Sequence, residues 1–385
     1  MKRKIAIGFV TTLMLSACVM NNIAAETKAA DDFTSLREAY ADIEPLTDPA
    51  TIRYIGTIGL QLSAPIWLAY ESGGLEDAGI TLDFTPASTG PLSIEALTAG
   101  EVDLVGTGIG GIAVGTIQGT AKMLCYINSE ASVQKFYVAG DSPLAEAEYN
   151  EETGFYGTAE DWKGREVYMP AGTTLQYLMG YSLDKLGLSL QDITPVYMEA
   201  NNVNTAMYAG KGEVWGIWNY LCYAASVEEN GFVPVIEGDD VGIYLMTAYC
   251  TNDKVLDDPV KQAAIKKILE YHFATIEWMK ESEENMYFAS EVMQRWCEEE
   301  GMDITADEMY RYMSDSTFFG LSENIEMWTE EVTNDHGTMI KALDDLQGIM
   351  DFYIEQGNYT EDDRTAMIEN QNELFDVEFL NAIGQ

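Results

Sequence analysis

Short strand-like and helix-like segments alternate along residues 51–251, and this alternation constrains the fold more than any other feature of the sequence. The run 51–56 (TIRYIG) is rich in β-branched residues, and a serine followed closely by a proline begins a helix shortly after it. Proline in the first turn and glycine after the last turn mark helix boundaries. Strands that alternate with helices indicate parallel βαβ units, so we expect an α/β fold.

The alternation occurs in two sets, which a polar stretch at residues 145–157 separates. The second set begins near residue 167, and the run 242–251 is typical of a strand that returns to the first set. One α/β unit inserted within another predicts two lobes joined by two hinge crossovers, near residues 137–143 and 238–244. Clefts between lobes are common ligand sites, and such lobes can close around a solute by hinge motion.

These patterns predict the domain organisation. Lobe 1 comprises residues 50–139 and 242–385, and its part from Pro259 onward has an almost wholly helical pattern that predicts a C-terminal tail. Lobe 2 comprises residues 140–241. A hydrophobic fraction of 47% supports large cores in both lobes and excludes a disordered chain.

The N-terminus has the parts of an export signal. Three basic residues at positions 2–4 precede the apolar run 5–15, which is shorter than the ~20 residues that span a bilayer. We therefore expect a signal peptide at residues 1–17. The alternative is an ordinary signal peptide that is cut near residues 24–25.

The sequence LSAC at residues 15–18 resembles the bacterial lipobox, in which the cysteine is lipidated on its sulfur. The resemblance implies that Cys18 carries a lipid anchor and that the protein is held on the extracytoplasmic side of the cell membrane. Acyl chains contribute ~0.8 kcal/mol per buried methylene, so two or more hold a protein at the membrane surface. The polar, acidic segment 18–49 is then expected to be a tether between the lipid and the folded body.

The net charge of the chain excludes some classes of partner. The formal charge is −43 at pH 7, from 64 acidic and 21 basic residues. A chain this acidic repels nucleic acid phosphates and anionic lipid head groups, so we expect no nucleic acid partner. Its long-range field favours cationic solutes and disfavours anions.

Four cysteines remain after the predicted anchor, namely Cys125, Cys222, Cys250 and Cys297. They lack the paired spacing of a zinc site, so no metal is expected. Four thiols in an exported protein could form two disulfides. Because Cys125 and Cys250 lie in strand-like apolar runs, buried free thiols are favoured.

Five short motifs share an order and spacing with a known family. They are AYESG (69–73), GITL (79–82), ALTAGEVD (96–103), DWKGREVYMPAGTT (161–174) and AMYAGKGE (206–213). Together they resemble the ABC-importer substrate-binding proteins for sulfonates, nitrate, taurine and thiamine-precursor pyrimidines. Two positions depart from the family pattern: Trp162 replaces the usual leucine, and Gly212 adds a residue to the last motif.

The resemblance implies a two-lobed periplasmic-binding-protein type II fold. It also implies a monomer that delivers a small organic solute to an ABC permease and its ATPase, without a cofactor and without catalytic residues. The candidate solutes are pyrimidines, sulfonates, taurine-like compounds and related nitrogen or sulfur compounds.

The strand-to-helix loops of both lobes are expected to face the cleft, where helix N-termini expose unpaired N–H groups. Gln61 and the threonines would supply hydrogen bonds, whereas Trp218 and Tyr220 would supply flat walls that suit rings and cations. Since Trp215 and Trp218 are three residues apart, at most one should face the cleft, and Trp218 is the better placed. The expected ligand-binding residues are Gln61, Thr89, Thr107, Gly108, Thr173, Thr174, Trp218 and Tyr220.

The candidate loops contain neither Arg nor Lys, which argues against a dianionic ligand. Neutral or zwitterionic aromatic amines, pyrimidines and taurine-like solutes remain open. Arg53, just before the first loop, keeps a sulfonate or carboxylate possible, and Glu199 or Glu213 could contact an amine.

Two other functions remain open from the sequence. One branch of the family makes the thiamine pyrimidine by consuming its own histidine, but His272 and His336 lie outside the candidate loops and in helical C-terminal stretches. A pyrimidine-synthase-like enzyme is therefore disfavoured. A ligand-binding module that serves a sensor instead of an importer cannot be separated from the transport function by sequence.

Overall fold

The computed structural model describes residues 33–86, 89–218 and 231–383. Among these residues it contains two large mixed β-sheets, one in each lobe, with helices packed around both. The expected two-lobed α/β architecture is therefore confirmed. The first-lobe sheet has six strands, in spatial order Thr317–Phe318, Lys122–Ser129, Met246–Thr251, Leu104–Gly108, Ala50–Gly56 and Ile80–Pro86.

The centre of the first-lobe sheet joins early and late parts of the chain. Ala50–Gly56 pairs in parallel with Ile80–Pro86 and with Leu104–Gly108. Met246–Thr251 runs antiparallel between Leu104–Gly108 and Lys122–Ser129, and it is buried along its whole length. This strand returns the chain to the first lobe, as its apolar pattern predicts.

The second-lobe sheet contains seven strands. Its parallel half is formed by Val214–Trp218, Glu166–Met169 and Thr194–Tyr197, as expected for βαβ units. The spatial order is Tyr149–Asn150, Phe155–Tyr156, Phe232–Glu237, Gln134–Ala139, Val214–Trp218, Glu166–Met169 and Thr194–Tyr197.

The first crossover lies earlier than the sequence predicts. Gln134–Ala139 was expected to end lobe 1, but it pairs antiparallel with Val214–Trp218 and Phe232–Glu237 in the second-lobe sheet. The crossover is therefore residues 130–133. An apolar strand carries the same pattern in either sheet, so periodicity could not assign it. The second crossover, at residues 238–245, agrees with its predicted position.

Helices of both lobes follow the strands as the sequence predicts. All of them except the first, Thr34–Ala39, lie between two strands in the chain, and several begin at the carboxyl end of a parallel strand. The helices before residue 252 are Thr34–Ala39, Ala64–Glu71, Gly74–Asp77, Gly90–Ala99, Ile109–Ile117, Ala159–Trp162, Thr174–Asp184 and Ala200–Tyr208, with 3₁₀ turns at Gln61–Ser63 and Ala131–Val133.

The C-terminal tail is helical, as expected, with one added hairpin formed by Glu331–Asn334 and Gly337–Ile340. Its helices are Asp253–Leu256, Pro259–Glu281, Glu283–Glu299, Ala306–Ser314, Leu321–Thr329, Lys341–Asp344, Gln347–Glu355, Glu361–Glu369, Gln371–Leu374 and Val377–Asn381.

One tail helix bridges the lobes. Gln347–Glu355 packs against the first-lobe helix Ile109–Ile117 and the second-lobe helix Thr174–Asp184. On the second-lobe side, the Phe352 ring lies so close to Gly180 that a Cβ there would approach it to 2.9 Å. The tail is therefore not confined to lobe 1.

The segment expected to be a tether is partly folded onto lobe 1. Phe33, Leu36 and Tyr40 form a buried stripe. The Phe33 ring contacts the Phe288 ring edge-on at 5.3 Å, and the Tyr40 hydroxyl lies 2.6 Å from the Thr275 hydroxyl. Three apolar residues at helical spacing are a weak signal among acidic neighbours, which is why composition alone predicted a tether.

The cysteines that the structure describes are buried free thiols, as favoured from the sequence. They are Cys125, Cys250 and Cys297, whereas Cys222 lies outside the described residues. Within the described ranges, no helix is both long and apolar enough to cross a bilayer.

Candidate functional site

A cavity of about 550 Å³ lies between the two lobes. Both lobes line it, and they approach each other where a Cβ on Gly110 would lie 3.9 Å from the Gly172 carbonyl oxygen. The lining side chains and backbone come from within residues 57–62, 89–91, 106–111, 170–174 and 197–201, together with Glu130, Gln134, Trp218 and Met302.

Four helices begin at this cavity. Their first turns carry no side-chain cap, so their N-terminal N–H groups are not used by the protein's own side chains. Free N–H groups and the partial positive charge of a helix start suit an anionic or carbonyl group of a ligand. The four helices are Gly90–Ala99, Ile109–Ile117, Thr174–Asp184 and Ala200–Tyr208.

The structure brings together six of the eight expected ligand-binding residues. They are Thr89, Thr107, Gly108, Thr173, Thr174 and Trp218. Trp218 ends the strand Val214–Trp218 and is partly exposed to the cavity. Trp215, three residues earlier, is buried and donates its ring N–H to the Lys211 carbonyl at 2.6 Å.

The cavity threonines are held by the protein itself. The Thr173 hydroxyl donates to the Pro170 carbonyl at 3.0 Å, and the Thr174 hydroxyl donates to the Gln134 side-chain carbonyl at 3.1 Å. The Thr107 hydroxyl is enclosed by Gly90 and Gly111, where a Cβ would come within 2.4 and 2.1 Å of it. These threonines therefore fix the loop shapes, and glycine is required beside Thr107.

Gln61 does not line the cavity. It lies in the 3₁₀ turn Gln61–Ser63 and is only 1% exposed. Its side-chain amide donates to the Tyr312 carbonyl at 2.6 Å, which ties the first loop to the helix Ala306–Ser314. A polar residue in a loop can turn inward to a backbone carbonyl, and sequence does not reveal which way it turns. Tyr220 and Cys18 lie outside the described residues.

Glu130 is a cavity residue that sequence reasoning missed. It follows the strand Lys122–Ser129 at the first crossover and is 8% exposed. Burial raises the pKa of its carboxyl group from 4.5 to about 7. A glutamate directly after an apolar strand was the available signal, but that position was expected to lie within a lobe.

Tyr197, Met198 and Met302 were also missed. Tyr197 ends the strand Thr194–Tyr197, is 45% exposed, and accepts a hydrogen bond from the Gln176 amide at 3.1 Å. The carboxyl end of a parallel strand is the usual ligand edge of a sheet, so the signal existed. Met302 comes from the tail, where no sequence pattern pointed to the cleft.

The family model described as "NMT1/THI5 like" matches residues 62–285, which include the lining loops at 89–91, 106–111, 170–174 and 197–201. The chain belongs to the NMT1/THI5-like family. It is 28% identical over 155 residues to an Escherichia coli K12 protein described as "Putative aliphatic sulfonates-binding protein", covering 40% of this chain and 44% of that protein. The match thus spans under half of that relative's length.

Solved structures with periplasmic-binding-protein folds superpose on most of the chain. The alkanesulfonate-binding protein SsuA from Xanthomonas axonopodis pv. citri, bound to MOPS, has a TM-score of 0.58 at 18% identity and covers 81% of this chain and 95% of its own. The nitrate-binding protein NrtA from Synechocystis PCC 6803 has a TM-score of 0.61 at 13% identity, covering 88% and 89%. These similarities show the fold of this NMT1/THI5-like chain.

Acidic groups dominate the charge of the cavity in this family member. Its described lining contains Glu130 and Glu199 but no Lys, Arg or His. Arg53, which had kept an anionic ligand possible, instead binds the Asp103 carboxylate at 2.6 Å and the Gly100 carbonyl at 2.9 Å. Glu213 is likewise used elsewhere, in an ion pair with Arg165 at 3.2 Å.

Neither of the two histidines lines the cavity. The described part of the chain contains no group of three or more His, Cys, Asp or Glu side chains able to hold a metal ion. His272 is fully buried, and burial lowers its pKa to about 3, so its ring is neutral at physiological pH. His336 contacts the Arg364 guanidinium at 2.8 Å, away from the cavity lining.

Proposed function

We propose that this protein is an extracytoplasmic solute-binding lipoprotein that captures a small organic solute and delivers it to an ABC permease and its ATPase. The observation that carries the proposal is the interlobe cavity, because both lobes contribute ligand-accessible groups to one shared cleft. Membership of the NMT1/THI5-like family and the periplasmic-binding-protein fold support it. The relatives named as sulfonate- and nitrate-binding proteins support capture of a small solute as the use of that fold.

The two crossovers supply the hinge in this proposal. They lie side by side, since the Glu130 N–H donates to the Leu245 carbonyl at 3.0 Å and the Gly238 N–H donates to the Gln134 carbonyl at 3.1 Å. At Gly238 a Cβ would come within 2.4 Å of the Ala131 carbonyl oxygen. A solute that contacts both lobes stabilises the closed arrangement over the open one, which is the form that a permease would recognise.

Residues of both lobes have distinct roles in the proposed complex. Trp218 forms a flat wall against the solute, and Thr89, Gly108 and Thr173 frame the helix starts that receive a carbonyl, carboxylate or sulfonate group. Thr107 and Thr174 hold the loops in place. Cys18 carries the lipid anchor, and its replacement by alanine should abolish labelling of the protein by radioactive palmitate in a bacterial host.

A thermal-shift screen tests solute binding. Alkanesulfonates, taurine, nitrate, aminopyrimidines and simple amines would be tested as the probes, and a bound solute raises Tm by mass action. We expect Trp218→Ala to remove most of that rise while leaving the Tm of the ligand-free protein nearly unchanged.

Tyr70→Ala is the matched control, because Tyr70 is an exposed aromatic residue outside the cavity lining. It should retain the full ligand-induced rise. An equal rise in wild type and Trp218→Ala would exclude Trp218 as a contact, and a screen without any rise in wild type would count against solute binding itself.

A further inference from the structure

We propose that the Glu130 carboxylate selects solutes that carry a protonated nitrogen, such as an amine or an amidinium group, over purely anionic solutes. This inference rests on the proposed solute-binding function and names the chemical class of solute that the cavity takes.

The Glu130 side chain forms part of the cavity wall. It lines the cavity at the first crossover, where it is 8% exposed and reaches toward the start of the helix Ile109–Ile117. Its Oε1 lies 3.0 Å from the place that a Cβ on Gly108 would occupy. Glycine at position 108, which itself lines the cavity, leaves room for the carboxylate beside the cavity wall.

Among the described residues the Glu130 carboxylate has neither a hydrogen-bond donor nor an ion-pair partner, although its backbone N–H is bonded to Leu245. Buried carboxylates in folded proteins are paired with cations or several N–H donors, because an uncompensated buried charge is costly. Burial accordingly raises the pKa of Glu130 to about 7. A protonated nitrogen on a solute in the cavity would supply such a donor.

The rest of the cavity favours the same chemistry. Glu199 precedes the helix Ala200–Tyr208 on the opposite lobe and adds a second carboxylate to the lining. The Trp218 ring offers a face that attracts cations. With a formal charge of −43, the protein also steers cations toward its surface and repels anions.

The helix starts define what the other end of the solute can be. Four uncapped helix N-termini suit an anionic or carbonyl group, so a zwitterion with its nitrogen at Glu130 satisfies both features. At a pH above the pKa of Glu130, an anion without a nitrogen cation would face a negatively charged carboxylate with no compensation. The site therefore discriminates between solutes that differ only in an amino group.

Matched pairs of solutes test this inference by calorimetry on the purified protein. The pairs are taurine with ethanesulfonate, β-alanine with propionate, and benzylamine with toluene-4-sulfonate as an amine-only and an anion-only aromatic. In wild type we expect the member with the amino group to bind about tenfold more tightly or better within at least one pair. In Glu130→Gln that preference should shrink to less than about threefold, because a neutral amide cannot pair with the cation.

Glu213→Gln is the control, since Glu213 is a carboxylate paired with Arg165 outside the cavity. It should keep the preference of wild type. Tighter binding of the nitrogen-free members, or an unchanged preference in Glu130→Gln, would overturn the inference and leave solute binding intact. Failure of every solute to bind wild type would instead contradict the proposed function, and the inference with it.

Discussion

Two buried carboxylates, one in the first lobe and one at the first crossover, have opposite surroundings. Asp103, 1% exposed, accepts hydrogen bonds from the Arg53 side chain at 2.6 and 3.0 Å and from the Lys261 ammonium at 2.8 Å. Glu130, 8% exposed, has no comparable partner among the described residues. Asp103 joins a strand to the helix Pro259–Glu281, whereas Glu130 faces the cavity.

The difference in partners gives Asp103 a structural role and Glu130 the proposed binding role. Burial alone acts to raise the pKa of Asp103, but hydrogen bonds from Arg53 and Lys261 outweigh it and hold the pKa at about 2. For Glu130 burial is unopposed, and the pKa lies at about 7. A carboxylate whose partners are already in the fold stabilises it, and one without partners is available to a solute at a cost in stability.

The largest expected change in stability follows from removing the paired Asp103 carboxylate. Asp103→Ala leaves two cations without their partner and the Arg53 N–H without one acceptor, so the free energy of unfolding at pH 7 should fall by about 3 kcal/mol. Urea denaturation followed by circular dichroism measures it. A loss below about 1 kcal/mol would mean that the pairing contributes little and would erase the contrast with Glu130.

The second expected change is a gain in stability on replacing Glu130, and it depends on pH. Because the pKa of Glu130 is higher in the folded protein than its ordinary value of 4.5, the folded state binds more protons, and stability falls as pH rises from about 4.5 to about 7. Glu130→Gln removes this penalty. Without ligand, it should be more stable than wild type by about 2 kcal/mol at pH 8, and the gain should disappear near pH 4.5.

Urea denaturation of both proteins across this pH range measures the gain. Glu213→Gln again provides the comparison, since its carboxylate is about half exposed and paired with Arg165. A gain for Glu130→Gln that is the same at pH 8 and pH 4.5 would show that ionisation of Glu130 is not its cause.

The smallest effect concerns the two cations around Asp103. Lys261 donates one hydrogen bond to the Asp103 carboxylate, and the Arg53 side chain donates two to it. Both side chains are about a third exposed, so solvent screens them. Lys261→Met should cost about 0.5 kcal/mol, and Arg53→Met about twice as much. Equal losses would show that the bidentate geometry of Arg53 adds nothing.

The sequence predicted the architecture well because strand and helix periods are local properties. It assigned the return strand Met246–Thr251 and the second crossover correctly. The strand Gln134–Ala139 was placed in the wrong sheet, since pairing partners far along the chain decide which sheet an apolar strand joins. The stripe from Phe33 to Tyr40 was missed because its burial depends on helices of the distant tail.

The site was predictable to the extent that helix starts and strand ends determine it. Thr89, Thr173 and Trp218 line the cavity because each lies at such a boundary. The direction of a loop side chain is not a local property, so Gln61 was expected at the cavity but binds Tyr312 instead. Glu130 was missed because its place in the cavity depends on where the chain crosses between lobes.

The bridging helix Gln347–Glu355 has a consequence for the motion of the two lobes. It packs on helices of both lobes. The Phe352 ring lies against Gly180, and the Tyr353 hydroxyl lies beside Gly110. Any rotation that widens the cavity must either move this helix together with one lobe or slide the Phe352 ring across Gly180. We therefore expect the width of the open state to depend on a segment some 170 residues downstream of the glycine it rests on, so that replacing Phe352 by alanine would alter solute capture without changing a cavity-lining residue.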